Sequence, residues 1–169
     1  IIGTGNIAST GHLPAIEASK NAQLVALLSR STDSGKKFLS GTVNEKDTKV
    51  HNDIESFLQE PGLELVVICS PDEAHFSQAK KCLESGKHVL LEKPLTTSEH
   101  EASELVSLAT EKKLVLATGF HLRSHVGHRL LHDAVVNEGK IGELRHIRVF
   151  WAFPQPDDTN WRAKAGLTR

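Results

Sequence analysis

Two short stretches carry residue types that could do chemistry. Gly3-Thr4-Gly5-Asn6-Ile7-Ala8 follows the apolar pair Ile1-Ile2, and Glu92-Lys93-Pro94 follows the apolar run His88-Val89-Leu90-Leu91. The first has the G-x-G-x-x-A spacing of a turn that cradles a dinucleotide pyrophosphate. Gly3 would make the tight turn, Gly5 would let the backbone approach the phosphates, and Ala8 would still allow close helix–strand packing. The amides of a helix starting near Asn6 and Ile7 would face the phosphates, with the helix dipole favouring their charge. Gly3, Thr4, Gly5, Asn6 and Ile7 are therefore the candidate pyrophosphate contacts. The same glycines could merely shape a turn; a strand before and a helix after favour the cradle. Lys93 is the candidate for proton transfer, because the carboxyl end of a strand is where open α/β sheets hold ligands. A lysine can take up or release a proton near neutral pH when burial or a nearby positive charge lowers its pKa. Pro94 would fix the turn that aims it. The plainer alternative is a strand-end lysine that snorkels to solvent.

The end of the next strand speaks to cofactor choice. An acidic residue there binds a ribose 2'-hydroxyl, as in NAD sites, whereas arginine suits the 2'-phosphate of NADP. Here the sequence is Ser29-Arg30-Ser31-Thr32. The acid is missing, the Arg30 guanidinium suits a phosphate, and the Ser29 and Ser31 hydroxyls add donors. NADP is favoured, with NAD as the alternative. Asp33 tempers the local field, and an ordinary solvated arginine is the bland reading. Histidines 121, 125, 128 and 132 tempt a metal reading, since imidazoles suit zinc or nickel. On a helix the last three fall within about 60° of one another, opposite Val126, Leu130, Ala134 and Val135. They line a wet face or cleft, and no metal site is expected.

The elements that must position these residues alternate between strand and helix. Gln23–Ser29, Thr48–His51, Leu63–Cys69, His88–Leu91 and Leu114–Gly119 are predicted strands. Asp33–Leu39, Asp53–Gln59, Ser70–Ser85 and Ser98–Lys112 are predicted helices. Ser70-Pro71-Asp72-Glu73 reads as a capping box with Ser70 as N-cap. Helix 98–112 should bury the stripe Ala102, Leu105, Val106 and Ala109. Gly11 and Pro14 should divide the first helix into Asn6–Thr10 and Pro14–Ser19. The alternation predicts an α/β fold, a doubly wound parallel sheet of the Rossmann type, over residues 1–120. Residues 121–169 read differently: an amphipathic helix Ser124–Glu138 ending at Gly139, then a strand Leu144–Phe153 with Ile147, Val149, Trp151 and Phe153 on one face. Both ends of the chain are expected to be cut from a longer protein.

Bulk properties narrow the partners. In 169 residues, 20 Lys and Arg oppose 21 Asp and Glu, a net charge of −1 without blocks of one sign. Nucleic acid and anionic membranes are thus unexpected partners. Leu63–Cys69, the longest apolar stretch, is too short to span a bilayer. Cys69 and Cys82 form no C-x-x-C pair or disulfide framework, which points to a reduced, cytoplasmic protein.

Together, the Gly3–Ala8 and Glu92–Pro94 motifs resemble the glucose-fructose oxidoreductase / inositol dehydrogenase (Gfo/Idh/MocA) family of NAD(P)-dependent sugar and polyol dehydrogenases. The resemblance implies that Lys93 stands by the nicotinamide and the substrate hydroxyl, with Glu92 near the cofactor. It implies that Ser70-Pro71 and His75 line the ribose and nicotinamide, a role compatible with Ser70 as a cap. Phe120-His121-Leu122-Arg123 resembles a segment with an arginine at the domain junction. Trp161-Arg162 resembles a pair that closes over the nicotinamide end, although these residue types are also common in packing and at surfaces. The resemblance further implies that residues 121–169 open a second, α+β domain whose large sheet covers the substrate and mediates homo-oligomer contacts. The family's pattern runs past the end of this chain, to a glycine-rich loop and an Asp-x-Gly-x-His segment whose histidine commonly shares catalysis. The implied activity is hydride transfer between nicotinamide and a carbinol carbon of a sugar, polyol or related small molecule. The same fold serves members that hold NAD tightly for redox-neutral glycoside cleavage. Others sense a dinucleotide without turnover, and such a regulator is the alternative reading.

Overall fold

Short runs of Leu, Val, Ile and Ala take up extended backbone because apolar side chains on both faces of a strand are buried only inside a sheet covered on both sides. Among the described residues there are five strands: β1 (Ala26–Leu28), β2 (Lys49–His51), β3 (Leu65–Ile68), β4 (His88–Leu91) and β5 (Leu116–Thr118). The computed structural model of the chain describes residues 1–150 together with Ala152. All pairings are parallel: β1 with β2, β3 with β4, and β4 with β5, with Ile68 opposite Leu91 and Leu91 opposite Thr118. Ile2 joins the two sets by bridging Leu28 and Ile68. The Ile2 amide donates to the Val67 carbonyl and the Cys69 amide to the Ile2 carbonyl, both at 2.8 Å, while the Gly3 amide donates to the Leu28 carbonyl at 2.9 Å. Counted with Ile1–Ile2 as the first strand, the order across the sheet is 3-2-1-4-5-6, that of dinucleotide-binding sheets. The order reverses between Ile2 and β3, and ligands of such sheets bind at that switch point.

Helices cover the two faces: α1 (Leu13–Ala18), α2 (Thr32–Leu39), α3 (Ile54–Leu58), α4 (His75–Glu84) and α5 (Glu99–Glu111). Alternate strand residues divide between two cores. Ile2, Ala26, Leu28, Val66, Ile68, Val89 and Leu91 pack with Phe57, Leu83 and Leu105 from α3, α4 and α5. Ile1, Leu27, Val67 and Cys69 pack with Ala8, Leu13 and Leu39 on the other face. The chain divides into two units, residues 1–122 and 123–169. The first contains the whole sheet. In the second, α6 (Val126–His132) continues into a π-helical turn, Asp133–Asn137.

Several local expectations need correction. The backbone is helical without a break from Asn6 to Ala18. Pro14 is accommodated because Ala8–His12 form a π-helical turn immediately ahead of α1. There the Leu13 amide donates to the Ala8 carbonyl, five residues back. Ser70 does not cap its helix: Pro71 is the extended residue before a 3-10 turn, Asp72–Ala74, and the Ser70 hydroxyl donates to Gln78 Oε1 at 2.6 Å. Ser70 lies one residue too far upstream to reach the turn's amides. On α5, Leu105 and Ala109 are buried as expected, while Val106 is 53% exposed and Leu108 packs in its place, so the stripe runs Leu105, Leu108, Ala109 at i, i+3 and i+4. Residues 144–150 form no strand, because an extended segment needs a partner to satisfy its ladder and none pairs with it among the described residues. Trp151 and Phe153 lie outside the described residues.

Candidate functional site

Because every strand runs the same way, all carboxyl ends lie on one edge, and the candidate residues are the first residues beyond them. Gly3-Thr4-Gly5 follows Ile2, Ser29-Arg30-Ser31 follows β1, Cys69-Ser70-Pro71 follows β3, and Glu92-Lys93-Pro94 follows β4. The first unit thus assembles thirteen of the sixteen candidates at one edge or in the helices that start there: positions 3–7, 29–31, 70, 71, 75, 92 and 93. Arg123 lies in the second unit, in a 3-10 turn His121–Ser124, and is exposed. Trp161 and Arg162 lie outside the described residues.

Gly3 occupies the switch point. Its φ is +95°, and a Cβ there would sit 2.9 Å from the Cys69 carbonyl oxygen and 3.1 Å from the Ser70 nitrogen. Only glycine fits both the backbone conformation and the space. Gly5, Asn6 and Ile7 are exposed beyond it, and Ala8 is wholly buried. Amides in the first turn of a helix lack intrahelical partners, so Asn6 and Ile7 offer donors to an anion at this edge. The donor-rich turn, the absence of a side chain at Gly3 and the close-packed Ala8 fit a dinucleotide pyrophosphate.

Arg30 is exposed and has no hydrogen-bond or ion-pair partner among the described residues. It precedes α2, whose N-cap is Ser31, with the Ser34 amide donating to the Ser31 hydroxyl at 3.2 Å. Ser29 differs from expectation. It is 7% exposed and its hydroxyl donates to the Ser31 carbonyl, so it shapes the loop and has no free donor for a phosphate. Gly35 lets α2 lie close to the sheet, since a Cβ there would stand 2.4 Å from Val50 Cγ1 and 2.9 Å from Ser29 Oγ.

Lys93 is exposed, not buried. Its neighbours are firmly placed. Glu92 is half-buried, and its Oε1 accepts a hydrogen bond from His12 Nε2 at 2.8 Å, while Oε2 accepts from the Lys93 amide at 3.3 Å. Gly119, at the end of β5, makes room for that carboxylate: a Cβ would stand 3.0 Å from Oε1. The Lys93–Pro94 peptide is cis. His75 is 1% exposed, with Nδ1 2.7 Å from the Pro94 carbonyl oxygen and Nε2 2.9 Å from the Ser70 carbonyl oxygen. Both ring nitrogens are thereby engaged, so the ring ties two strand-end loops together and keeps no polar atom for a dinucleotide. That corrects its expected contact role. Burial, with a smaller contribution from the Glu92 charge, pushes the Cys69 thiol up to about 12 and rules it out as a nucleophile. Among the described residues, no group of three or more His, Cys, Asp or Glu could hold a metal ion, and no helix is long and apolar enough to cross a membrane.

Sequence reasoning missed His12, Gly35 and Gly119. A π-helical turn hides the register of His12, and the two glycines are explained only by neighbours distant in sequence.

Comparison with known proteins agrees with this geometry. The chain is 34% identical over 163 residues to a 1,5-anhydro-D-fructose reductase of Ensifer adhaerens, covering 96% of this chain and 47% of that protein. It is 26% identical over 167 residues to the scyllo-inositol 2-dehydrogenase (NADP(+)) IolW of Bacillus subtilis, covering 98% of this chain and 45% of the relative. Among solved structures, KijD10, a 3-ketoreductase from Actinomadura kijaniata in complex with NADP and TDP-benzene, superposes with a TM-score of 0.75 at 33% identity. The match covers 84% of this chain and 42% of that one. The chain spans about half the length of the curated relatives it matches. A profile of the Gfo/Idh/MocA oxidoreductases, a family with an NAD-binding Rossmann fold, matches residues 1–120, and the chain belongs to that family.

Proposed function

We propose that the protein is an NADP-preferring oxidoreductase that moves a hydride between nicotinamide and a carbinol carbon of a sugar, polyol or related small molecule. The observation that carries the proposal is the shared edge of the sheet, where the side-chain-free turn at Gly3 and the exposed Lys93 stand two strand spacings apart, about 10 Å. The bound dinucleotide would supply hydride chemistry that no amino-acid side chain provides. This chain's residues do the rest. Thr4, Gly5, Asn6 and Ile7 bind the pyrophosphate around the Gly3 turn, and Arg30 with the first turn of α2 binds the 2'-phosphate. Lys93 takes the carbinol proton in oxidation or returns it in reduction, through its Nζ. Ser70 and Pro71 shape the loop beside the cofactor, and Glu92 acts on Lys93 through the backbone between them. Arg123, Trp161 and Arg162 are assigned to closing the cofactor site, on the resemblance alone.

The relatives support the substrate class, since they include a 1,5-anhydro-D-fructose reductase, a scyllo-inositol 2-dehydrogenase and a 3-ketoreductase. Two free, buried thiols fit a reducing, cytoplasmic compartment. Residues 121–169 are assigned to the start of the α+β substrate domain, with homo-oligomer formation through it. The test is Lys93→Ala in the intact protein, assayed with scyllo-inositol and 1,5-anhydro-D-fructose as probes. Turnover should fall about 100-fold or more while NADPH affinity stays nearly intact. Unchanged turnover would remove the role of Lys93.

A further inference from the structure

His12 lies outside the pyrophosphate-binding residues, yet it reaches across the switch point to Glu92, 80 positions along the chain. Its place follows from the π-helical turn. Ala8 and Leu13 are both buried against the sheet, 0% and 5% exposed, although an α-helix puts i and i+4, not i and i+5, on one face. The wider turn, closed by the Leu13 amide on the Ala8 carbonyl, lets both remain anchored and carries His12 between them to the strand ends. Such turns concentrate at functional sites. Opposite, the Glu92 carboxylate fills a slot that exists because residue 119 is glycine, and its second oxygen accepts the Lys93 amide. The side chains of His12 and Glu92 are 19% and 15% exposed, so neither depends on bulk water for its partner.

We propose that His12 is a positioning residue. By donating from Nε2 to Glu92 Oε1 it locks the carboxylate in its slot, and the carboxylate in turn holds the backbone of Lys93, coupling the helix of the dinucleotide turn to the proton-transferring strand end. The inference rests on the catalytic reading of Lys93. Removing the imidazole leaves a half-buried carboxylate short of a donor, and such groups reorient or take up water. A shift of about 1 Å at the reacting end is enough to cost about 100-fold in rate.

The experiment compares His12→Ala, His12→Gln and Lys93→Ala in the intact protein, with scyllo-inositol and 1,5-anhydro-D-fructose as probes. Glutamine keeps an amide donor of similar reach. His12→Ala should lower kcat about 10- to 100-fold, leave the Kd for NADPH within about twofold, and shift the backbone NMR signals of Lys93 and Gly119. His12→Gln should restore most of kcat and return both signals close to their wild-type positions. Three results overturn the proposal: Lys93 and Gly119 signals unmoved in His12→Ala, a kcat unchanged in that variant, or a His12→Gln protein as impaired as the alanine variant. Loss of turnover in Lys93→Ala with full turnover in His12→Ala removes the strut and keeps the lysine. Full turnover in Lys93→Ala removes both.

Discussion

Replacing Gly3 with alanine tests the geometry of the switch point, because two separable penalties meet there. At φ +95° an alanine leaves its favoured backbone regions, which costs about 1–2 kcal/mol. Its Cβ would also press against the Cys69 carbonyl oxygen at 2.9 Å, the Cys69 carbonyl carbon at 3.0 Å and the Ser70 nitrogen at 3.1 Å. Those are backbone atoms and cannot rotate away, and the Cys69 amide is tied to the Ile2 carbonyl at 2.8 Å. Moving the end of β3 to relieve the overlap costs about 1–3 kcal/mol more. Gly41 provides the control: its φ is +77°, but nothing lies within 4 Å of a Cβ there, so Gly41→Ala carries the backbone penalty alone. In a chain of this size about 1 kcal/mol moves Tm by about 2–4 °C. Thermal melting should show Gly3→Ala about 10 °C less stable than wild type and Gly41→Ala only about 4 °C less stable. A parallel titration should show NADPH binding lost in the first variant and kept in the second. Equal Tm losses in the two variants would refute the argument, because the close approach of Gly3 to β3 would then carry no energy.

Three further outcomes follow from packing and titration. Leu105→Ala, at a fully buried position of α5, should cost about 2–5 kcal/mol in urea unfolding, whereas Val106→Ala should stay within about 0.5 kcal/mol. The Asp53 carboxyl is held below its ordinary value of 3.8 first by the Ser56 hydroxyl and then by the Ser56 amide. Because the folded value lies below the ordinary one, Asp53 contributes its full stability above the ordinary carboxyl range and loses that contribution as pH falls through the lowered folded value. The stability difference between wild type and Asp53→Ala, followed by urea unfolding across pH, should therefore be full at neutral pH and shrink in acid. Burial pushes both Cys69 and Cys82 up to about 12, so iodoacetamide should label neither in the folded protein at neutral pH and both after denaturation, as mass spectrometry would show.

Much of the fold was legible in the sequence for a physical reason. Parallel strands buried on both faces leave near-continuous apolar runs, and His88–Leu91 was delimited residue for residue. The glycine turn was legible because its spacing encodes a backbone requirement. Other features depend on distant partners. Whether Pro14 breaks a helix depends on a π-helical turn that lets Leu13 reach back to Ala8. Ser70 reads as a cap until Pro71 is seen to be extended and Gln78 to take its hydroxyl. His75 reads as a cofactor contact until both its nitrogens are found on carbonyl oxygens. The alternation after Gly142 reads as a strand, but residues 144–150 find no partner to pair with among the described residues.

The proposed function rests on the Gly3 turn and Arg30 holding a phosphorylated dinucleotide at the switch point. A calorimetric titration of the folded chain with NADPH and then NADH, at one ionic strength, tests it most directly when repeated on Arg30→Ala. Clearly tighter binding of NADPH, and loss of that preference in the variant, are the expected results. Equal affinities in wild type, or a preference that survives in Arg30→Ala, would contradict the assignment of Arg30. Binding of neither dinucleotide by the folded chain would contradict the site itself.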